Sequence, residues 1–151
     1  MRRTVGALVL CVLWALTPAG AEHGSDDTLL EPEQAFRFSA RLVSEDALEV
    51  SYRIAEGYYL YKDRFSFSIE PAGMKIGPAR FPQALWHEDE FFGRSEIYRW
   101  EVTIRIPLQT RPGSHGFRLL AVSQGCADVG VCYLPTTHRA QLAGPGSLLP
   151  K

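Results

Sequence analysis

Cys126 and Cys132 are the residues of this 151-residue chain best suited to do chemistry. Ala127-Asp128-Val129-Gly130-Val131 separates them, and Asp128 and Gly130 are turn formers, so the two thiols can face each other across a tight connection between neighbouring strands. A bridged pair of this kind is either a structural staple or a redox couple. A staple is the ordinary role of a disulfide in an exported domain. Against that role, the chain-entropy model gives a seven-residue loop only roughly 2.4 kcal/mol, compared with ~3 kcal/mol for a 15-residue loop. Short exposed bridges also tend to have raised reduction potentials and to exchange readily. Spacing alone leaves both readings open.

The run Gly57-Tyr58-Tyr59-Leu60-Tyr61 is a second group of chemical interest. In a strand, Tyr59 and Tyr61 share one face and Tyr58 and Leu60 the other. If the Tyr59/Tyr61 face borders the cysteines, its hydroxyls can donate to a thiolate and favour its attack or departure. The plain alternative is a strand of packed aromatics. Zinc is poorly supported, because His87, His115 and His138 are scattered and form no close ligand pair with the cysteines. The acidic run His87-Glu88-Asp89-Glu90 reads as a solvated loop, since consecutive side chains cannot all face one ion. A Cys/His nucleophile is disfavoured because two cysteines this close pair in an oxidising compartment. No metal and no cofactor beyond the cysteine pair is expected.

Composition places these groups in one small exported domain. Sixteen Lys and Arg stand against 17 Asp and Glu, 46% of residues are hydrophobic, and no like-charge block reaches five residues. That excludes a disordered tail or a basic nucleic-acid arm, and no nucleic-acid partner is expected. Arg2 and Arg3 precede an apolar run from Val5 to Leu16, followed by Ala19-Gly20-Ala21 before Glu22. This reads as a secretory signal peptide over residues 1–21, too short to span a membrane, and it takes Cys11 with it. Residues 1–21 contain two bases and no acid, so cleavage moves the formal charge from −1 to −3. The mature chain is expected in an oxidising exported compartment, the periplasm of a Gram-negative cell, without direct membrane insertion.

The positioning elements are strands. Phe36, Phe38, Ala40 and Leu42 alternate, as do Leu48, Val50, Tyr52 and Ile54, then Phe65, Phe67 and Ile69. Trp100, Val102, Ile104, Ile106 and Leu108 share one face of a longer run, with Arg99, Glu101, Thr103 and Arg105 on the other, and Phe117 to Val122 follows. Ser44-Glu45-Asp46, Glu56-Gly57, Pro71-Ala72-Gly73, Gly77-Pro78 and Arg111-Pro112-Gly113-Ser114 are turn signals. The pattern predicts an all-β fold, a two-sheet antiparallel sandwich of immunoglobulin-like type, with a small closed barrel as the alternative. Residues 82–96 lack strand alternation and read as a long polar loop carrying Trp86, Phe91 and Phe92. Residues 22–33 and 141–151 read as mobile ends flanking a domain over 34–140.

Three motifs in order carry a resemblance: Gly57-Tyr58-Tyr59-Leu60-Tyr61, then Trp86-His87-Glu88-Asp89-Glu90-Phe91-Phe92-Gly93-Arg94-Ser95-Glu96-Ile97-Tyr98, then Gln124-Gly125-Cys126-Ala127-Asp128-Val129-Gly130-Val131-Cys132-Tyr133. Over roughly residues 30–140 the chain resembles the N-terminal periplasmic domain of the DsbD family of thiol:disulfide interchange proteins. The resemblance implies an immunoglobulin-like sandwich acting as an oxidoreductase component of a protein-disulfide reductase. Cys126 and Cys132 would be the redox pair, with Cys132 the attacking sulfur, or Cys126 if the order is reversed here; spacing does not decide which. Tyr59 and Tyr61 would be the site tyrosines, and Asp89-Glu90-Phe91-Phe92-Gly93 a cap whose Phe91 shields the sulfurs. The implied partners are a thioredoxin-like electron donor and thioredoxin-fold acceptors, namely disulfide isomerases and a cytochrome c maturation thioredoxin, met by a monomer.

Two departures from the family pattern stand out. Leu134 follows Tyr133 where two prolines are common, and Phe92 replaces a frequent Tyr. Both keep apolar bulk and are expected to tune partner contacts. The sequence holds no membrane helices and no thioredoxin-like domain after this one, so under the resemblance it is a fragment, a truncated product, or an adaptor fed by a separate membrane protein. Two other classes give different expectations. A binding module with an inert disulfide would resist mild reductant, and a copper-handling module would carry metal on Cys126, Cys132 and His87.

Overall fold

The computed structural model describes residues 29–113 and 116–144. The leader over 1–21 with Cys11, residues 22–28, Ser114 and His115, and residues 145–151 lie outside the described residues. After a four-residue helix, Pro32–Ala35, come the strands β1 Phe36–Ser44, β2 Ala47–Ile54, β3 Tyr58–Tyr61, β4 Ser66–Glu70, β5 Leu85–Asp89 and β6 Gly93–Tyr98. These are followed by β7 Glu101–Pro107, β8 Phe117–Ser123, β9 Gly125–Ala127, β10 Val131–Cys132 and β11 Thr136–Leu142. All named pairings are antiparallel, and the fold is an all-β, immunoglobulin-like sandwich.

The alternation read from the sequence produces the core. Leu48, Val50 and Tyr52 of β2 and Val102, Ile104 and Ile106 of β7 are buried, and they meet Phe117 and Leu119 of β8. Each such side chain removed from water contributes about 1.5–3 kcal/mol. Residues between them, such as Ser51 and Thr103, face outward and hydrogen-bond across the strands at 3.1 Å. The sheets β1-β2-β7 and β11-β8-β4 form the two layers around this core, and each strand order is linear, so no barrel closes among the described residues.

The structure departs from the sequence expectation in four places. A third sheet, in the order β10-β9-β3-β6-β5, joins the expected two and holds the motifs of interest. Residues 82–96 are not a loop throughout: β5 and β6 pair from Leu85↔Ile97 to Asp89↔Gly93 as a hairpin. Trp100 does not continue the inner face of β7, because its φ of 62° turns the chain and leaves the indole 67% exposed. That turn directs the Trp100 carbonyl to the Ile54 N–H at 2.7 Å. Finally, residues 29–33 and 141–144, expected within mobile ends, are tied to the fold where described. The Leu30 N–H donates to the Tyr58 hydroxyl at 2.8 Å, the Tyr133 hydroxyl donates to the Leu30 carbonyl at 2.6 Å, and Leu142 is buried.

Candidate active site

The site is built on β3. Both faces of this short strand are covered: Tyr58 and Leu60 enter the main core, while Tyr59 and Tyr61 form a second cluster with Ile97 and Cys126, against which Phe92 and Cys132 pack. The Tyr59/Tyr61 face therefore does border the cysteines. β9 lies beside β3 with Tyr59 opposite Cys126 and Leu60 opposite Gly125. Only glycine permits that approach, because a Cβ on residue 125 would strike the Tyr59 carbonyl oxygen and come within 2.7 Å of the Phe36 ring. Across from β9, β10 sets Cys132 directly opposite Cys126, and the two are joined in a disulfide with Cα atoms 4.0 Å apart. Gly130, at φ 82°, supplies the left-handed residue of the turn between them.

The β5–β6 hairpin brings the acidic motif over this pair. Asp89 ends β5, and its Oδ1 accepts the N–H groups of Phe91 and Phe92, both at 2.9 Å, which shapes the tip. Its Oδ2 accepts the Tyr61 hydroxyl at 2.6 Å and the Tyr59 hydroxyl at 3.2 Å. The Tyr61 oxygen lies 3.2 Å from Cys126 Sγ and 4.0 Å from Cys132 Sγ. A chain of polar groups thus runs from sulfur through Tyr61 to a carboxylate. Burial raises the pKa of both tyrosines, with Asp89 reinforcing the effect, so both remain protonated donors. Burial alone would raise Asp89, yet the hydrogen bonds from Tyr61, from the Phe92 and Phe91 N–H groups and from Tyr59 outweigh it and hold the carboxyl below its ordinary value.

The two sulfurs are not equivalent. Cys126 is fully buried, whereas Cys132 keeps part of its surface. Phe92 is the ring in contact with the cluster, edge-on to Tyr61 at 4.8 Å, with the Arg64 guanidinium 4.2 Å from its centroid. Phe91 is 43% exposed and, with Asp89 and Glu90, lines an open groove of about 270 Å³ whose other wall is Ala127, Asp128 and Gly130 of the cysteine turn. Gly93, at φ 62°, closes the tip. Two neighbours lie beside the tyrosines that spacing and parity do not place there. His87 lies with its ring 4.6 Å from Tyr59 and Nε2 3.8 Å from Asp89 Oδ2. Arg99 sits over the other side of the site, its guanidinium 5.0 Å from the Tyr59 ring centroid. Alternation could place neither against the tyrosines, because both contacts join residues far apart in sequence.

Comparison with known proteins agrees with this geometry. The family model for the N-terminal part of the thiol:disulfide interchange protein DsbD matches residues 26–144. The chain belongs to the DsbD N-terminal domain family. Thiol:disulfide interchange protein DsbD 1 of Pseudomonas aeruginosa is 39% identical over 153 residues, covering 95% of this chain and 26% of that protein. DsbD of Escherichia coli K12 is 41% identical over 111 residues, covering 74% of this chain and 19% of that protein. The chain thus spans about a quarter or less of the length of these DsbD relatives. The crystal structure of the Neisseria meningitidis DsbD N-terminal domain in the reduced form matches with TM-score 0.71 and 36% identity, over 82% of this chain and 96% of that one. A complex between the DsbD and PilB N-terminal domains of the same organism matches with TM-score 0.65 and 35% identity, over 82% and 94%. The DsbD fold that holds a disulfide here is therefore shared with a relative's reduced form.

Proposed function

We propose that this chain is a periplasmic thiol:disulfide exchange module that passes two electrons through Cys126 and Cys132 to thioredoxin-fold proteins. The observation that carries the reading is the disulfide set against a buried tyrosine hydroxyl at 3.2 Å, itself bonded to a carboxylate at 2.6 Å. An inert staple needs no such neighbours. Family membership supports the chemistry, and the relative's complex with a PilB domain supports exchange with a protein rather than a small molecule.

In the reduced form, the partly exposed Cys132 thiolate attacks the partner's disulfide, forming a mixed disulfide and releasing one partner thiolate. Buried Cys126 then loses its proton and attacks Cys132 Sγ. The intramolecular disulfide closes, and the second partner thiolate leaves with the electron pair. Tyr61 commits its own proton to Asp89, so its oxygen lone pair is free to accept the Cys126 S–H. A proton leaving Cys126 thus has a path toward Asp89 Oδ2. The reverse sequence, with a reduced thioredoxin-like donor, recharges the pair. Disulfide isomerases and a cytochrome c maturation thioredoxin are the acceptors, the signal sequence supplies the periplasmic address, and the module works as a monomer with transient partners. Leu134, 85% exposed beside Tyr133, belongs to the face those partners meet.

A trapping experiment tests the reading. The Cys126→Ser variant, reduced and mixed with an oxidised thioredoxin-fold disulfide isomerase, should accumulate a mixed disulfide through Cys132. The Cys132→Ser variant should give little. Absence of adduct with both variants would overturn the proposal.

A further inference from the structure

The turn that carries the cysteines is held by more than its disulfide. β10 is only two residues long and, among the described residues, lies at the edge of its sheet, paired with β9 alone. Asp128, in the middle of that turn, faces Arg99 at the exit of β6. Arg99 Nη1 donates to Asp128 Oδ2 at 3.0 Å and Nη2 to Oδ1 at 2.8 Å, a two-pronged pair whose planar geometry fixes direction as well as distance. The same guanidinium lies over the Tyr59 ring, and the Asp128 N–H donates to the Gly57 carbonyl at 2.8 Å, just before β3. One arginine therefore ties the cysteine turn to the strand bearing the site tyrosines.

We propose that Arg99 and Asp128 are positioning residues that hold the turn in its disulfide-ready register while Cys126 and Cys132 are a dithiol, and thereby set the balance between the two redox forms. The inference rests on the redox reading above. In the disulfide form the covalent bond orders the turn with or without Arg99, so losing the clamp costs its full interaction. In the dithiol form, losing the clamp also frees the turn, and the regained chain entropy offsets part of the loss. Removing the clamp therefore destabilises the disulfide form more than the dithiol form. The pair then becomes easier to reduce.

The test is the exchange of the chain with dithiothreitol, in which two electrons and two protons pass from the reductant to the protein disulfide as the reductant closes its own ring. Arg99→Gln, Asp128→Asn and the double variant are compared with wild type by alkylation trapping at equilibrium. Each single variant should shift the equilibrium toward dithiol by about 3–10-fold, equivalent to about 14–30 mV for a two-electron couple. The double variant should shift it no further, since both changes remove one interaction. Amide exchange at Asp128–Val131 should quicken in the reduced variants only. A clamp that is merely structural would lower the melting temperature of both redox forms alike and leave the equilibrium within 1.5-fold of wild type, with turn amides equally protected; that result overturns the proposal. The ratio of variant to wild type tests the clamp, whereas the absolute wild-type equilibrium tests the redox reading, so the two fail separately.

Discussion

Asp89→Asn is the substitution that probes the site most sharply, because it keeps shape and removes charge. Four donors converge on the wild-type carboxylate: two backbone N–H groups on Oδ1 and the Tyr59 and Tyr61 hydroxyls on Oδ2. The asparagine oxygen can serve the backbone donors, leaving its NH₂ to face two hydroxyls that must turn from donors into acceptors. Hydrogen bonds to a charged group contribute about 1.5–3 kcal/mol and neutral ones about 0.5–1.5 kcal/mol, so converting two of them costs about 2–3 kcal/mol of stability. The pH dependence has a definite sign. The folded-state pKa of Asp89 lies below its ordinary value. Stability from its ionised form is therefore fully present above the unfolded value of about 3.9 and is lost as pH falls through the folded-state value. Urea unfolding should show wild type ahead of the variant at pH 7, with the gap closing at an acid pH below the folded-state value, where the wild-type carboxyl is neutral too. A gap of equal size at both pH values, or none at pH 7, would refute the assignment of that stability to the ionised carboxylate.

Three further outcomes follow from the packing. Gly125→Ala should cost at least about 1–3 kcal/mol and push β9 off β3, because the new methyl meets the Tyr59 carbonyl oxygen and comes within 2.9 Å of Leu60 Cδ2; unfolding and the Tyr61–sulfur geometry are the readouts. Phe91→Ala should leave the melting temperature nearly unchanged, while Phe92→Ala, which loses the Tyr61 and Arg64 contacts, should lower it. Both should speed oxidation of the dithiol by a small oxidant, and identical rates in all three proteins would remove the shielding role. His138 stacks on Phe38 at 5.0 Å, and burial lowers its folded-state pKa against a smaller opposing effect of Glu33. The unfolded chain thus binds the proton more readily, so stability should fall as pH drops below about 6.5, and His138→Gln should flatten that slope in thermal melts.

The sandwich was legible because β2 and β7 each bury one face and wet the other, which is the condition under which alternation marks a strand. The β5–β6 hairpin was illegible because the site reverses that code. Asp89 points inward to two tyrosines, while Trp86 stands outside, 65% exposed, with the Arg94 guanidinium 4.6 Å from its ring. Trp100 misled for a different reason: its parity matches Val102, but the chain leaves the strand at that residue. Spacing and parity sufficed to show that Cys126 can meet Cys132 and that Tyr59 and Tyr61 share a face, but not that this face borders the sulfurs. Asp89 is placed at the site only by the family resemblance, since spacing alone puts it in a solvated loop. The contacts of Arg99 and His87 with Tyr59 were beyond reach, since these residues are brought near only when β3, β5 and β9 share a sheet.

The central claim, that Cys126 and Cys132 are an exchanging pair and not a staple, is tested most directly by the redox equilibrium of the chain against a glutathione or dithiothreitol series, with thiols trapped by alkylation and the fold followed by circular dichroism. The account predicts interconversion within the range of thioredoxin-like proteins, roughly −120 to −270 mV, with the fold retained in both states. A pair that stays oxidised under far more reducing conditions, or a domain that melts once reduced, would contradict it.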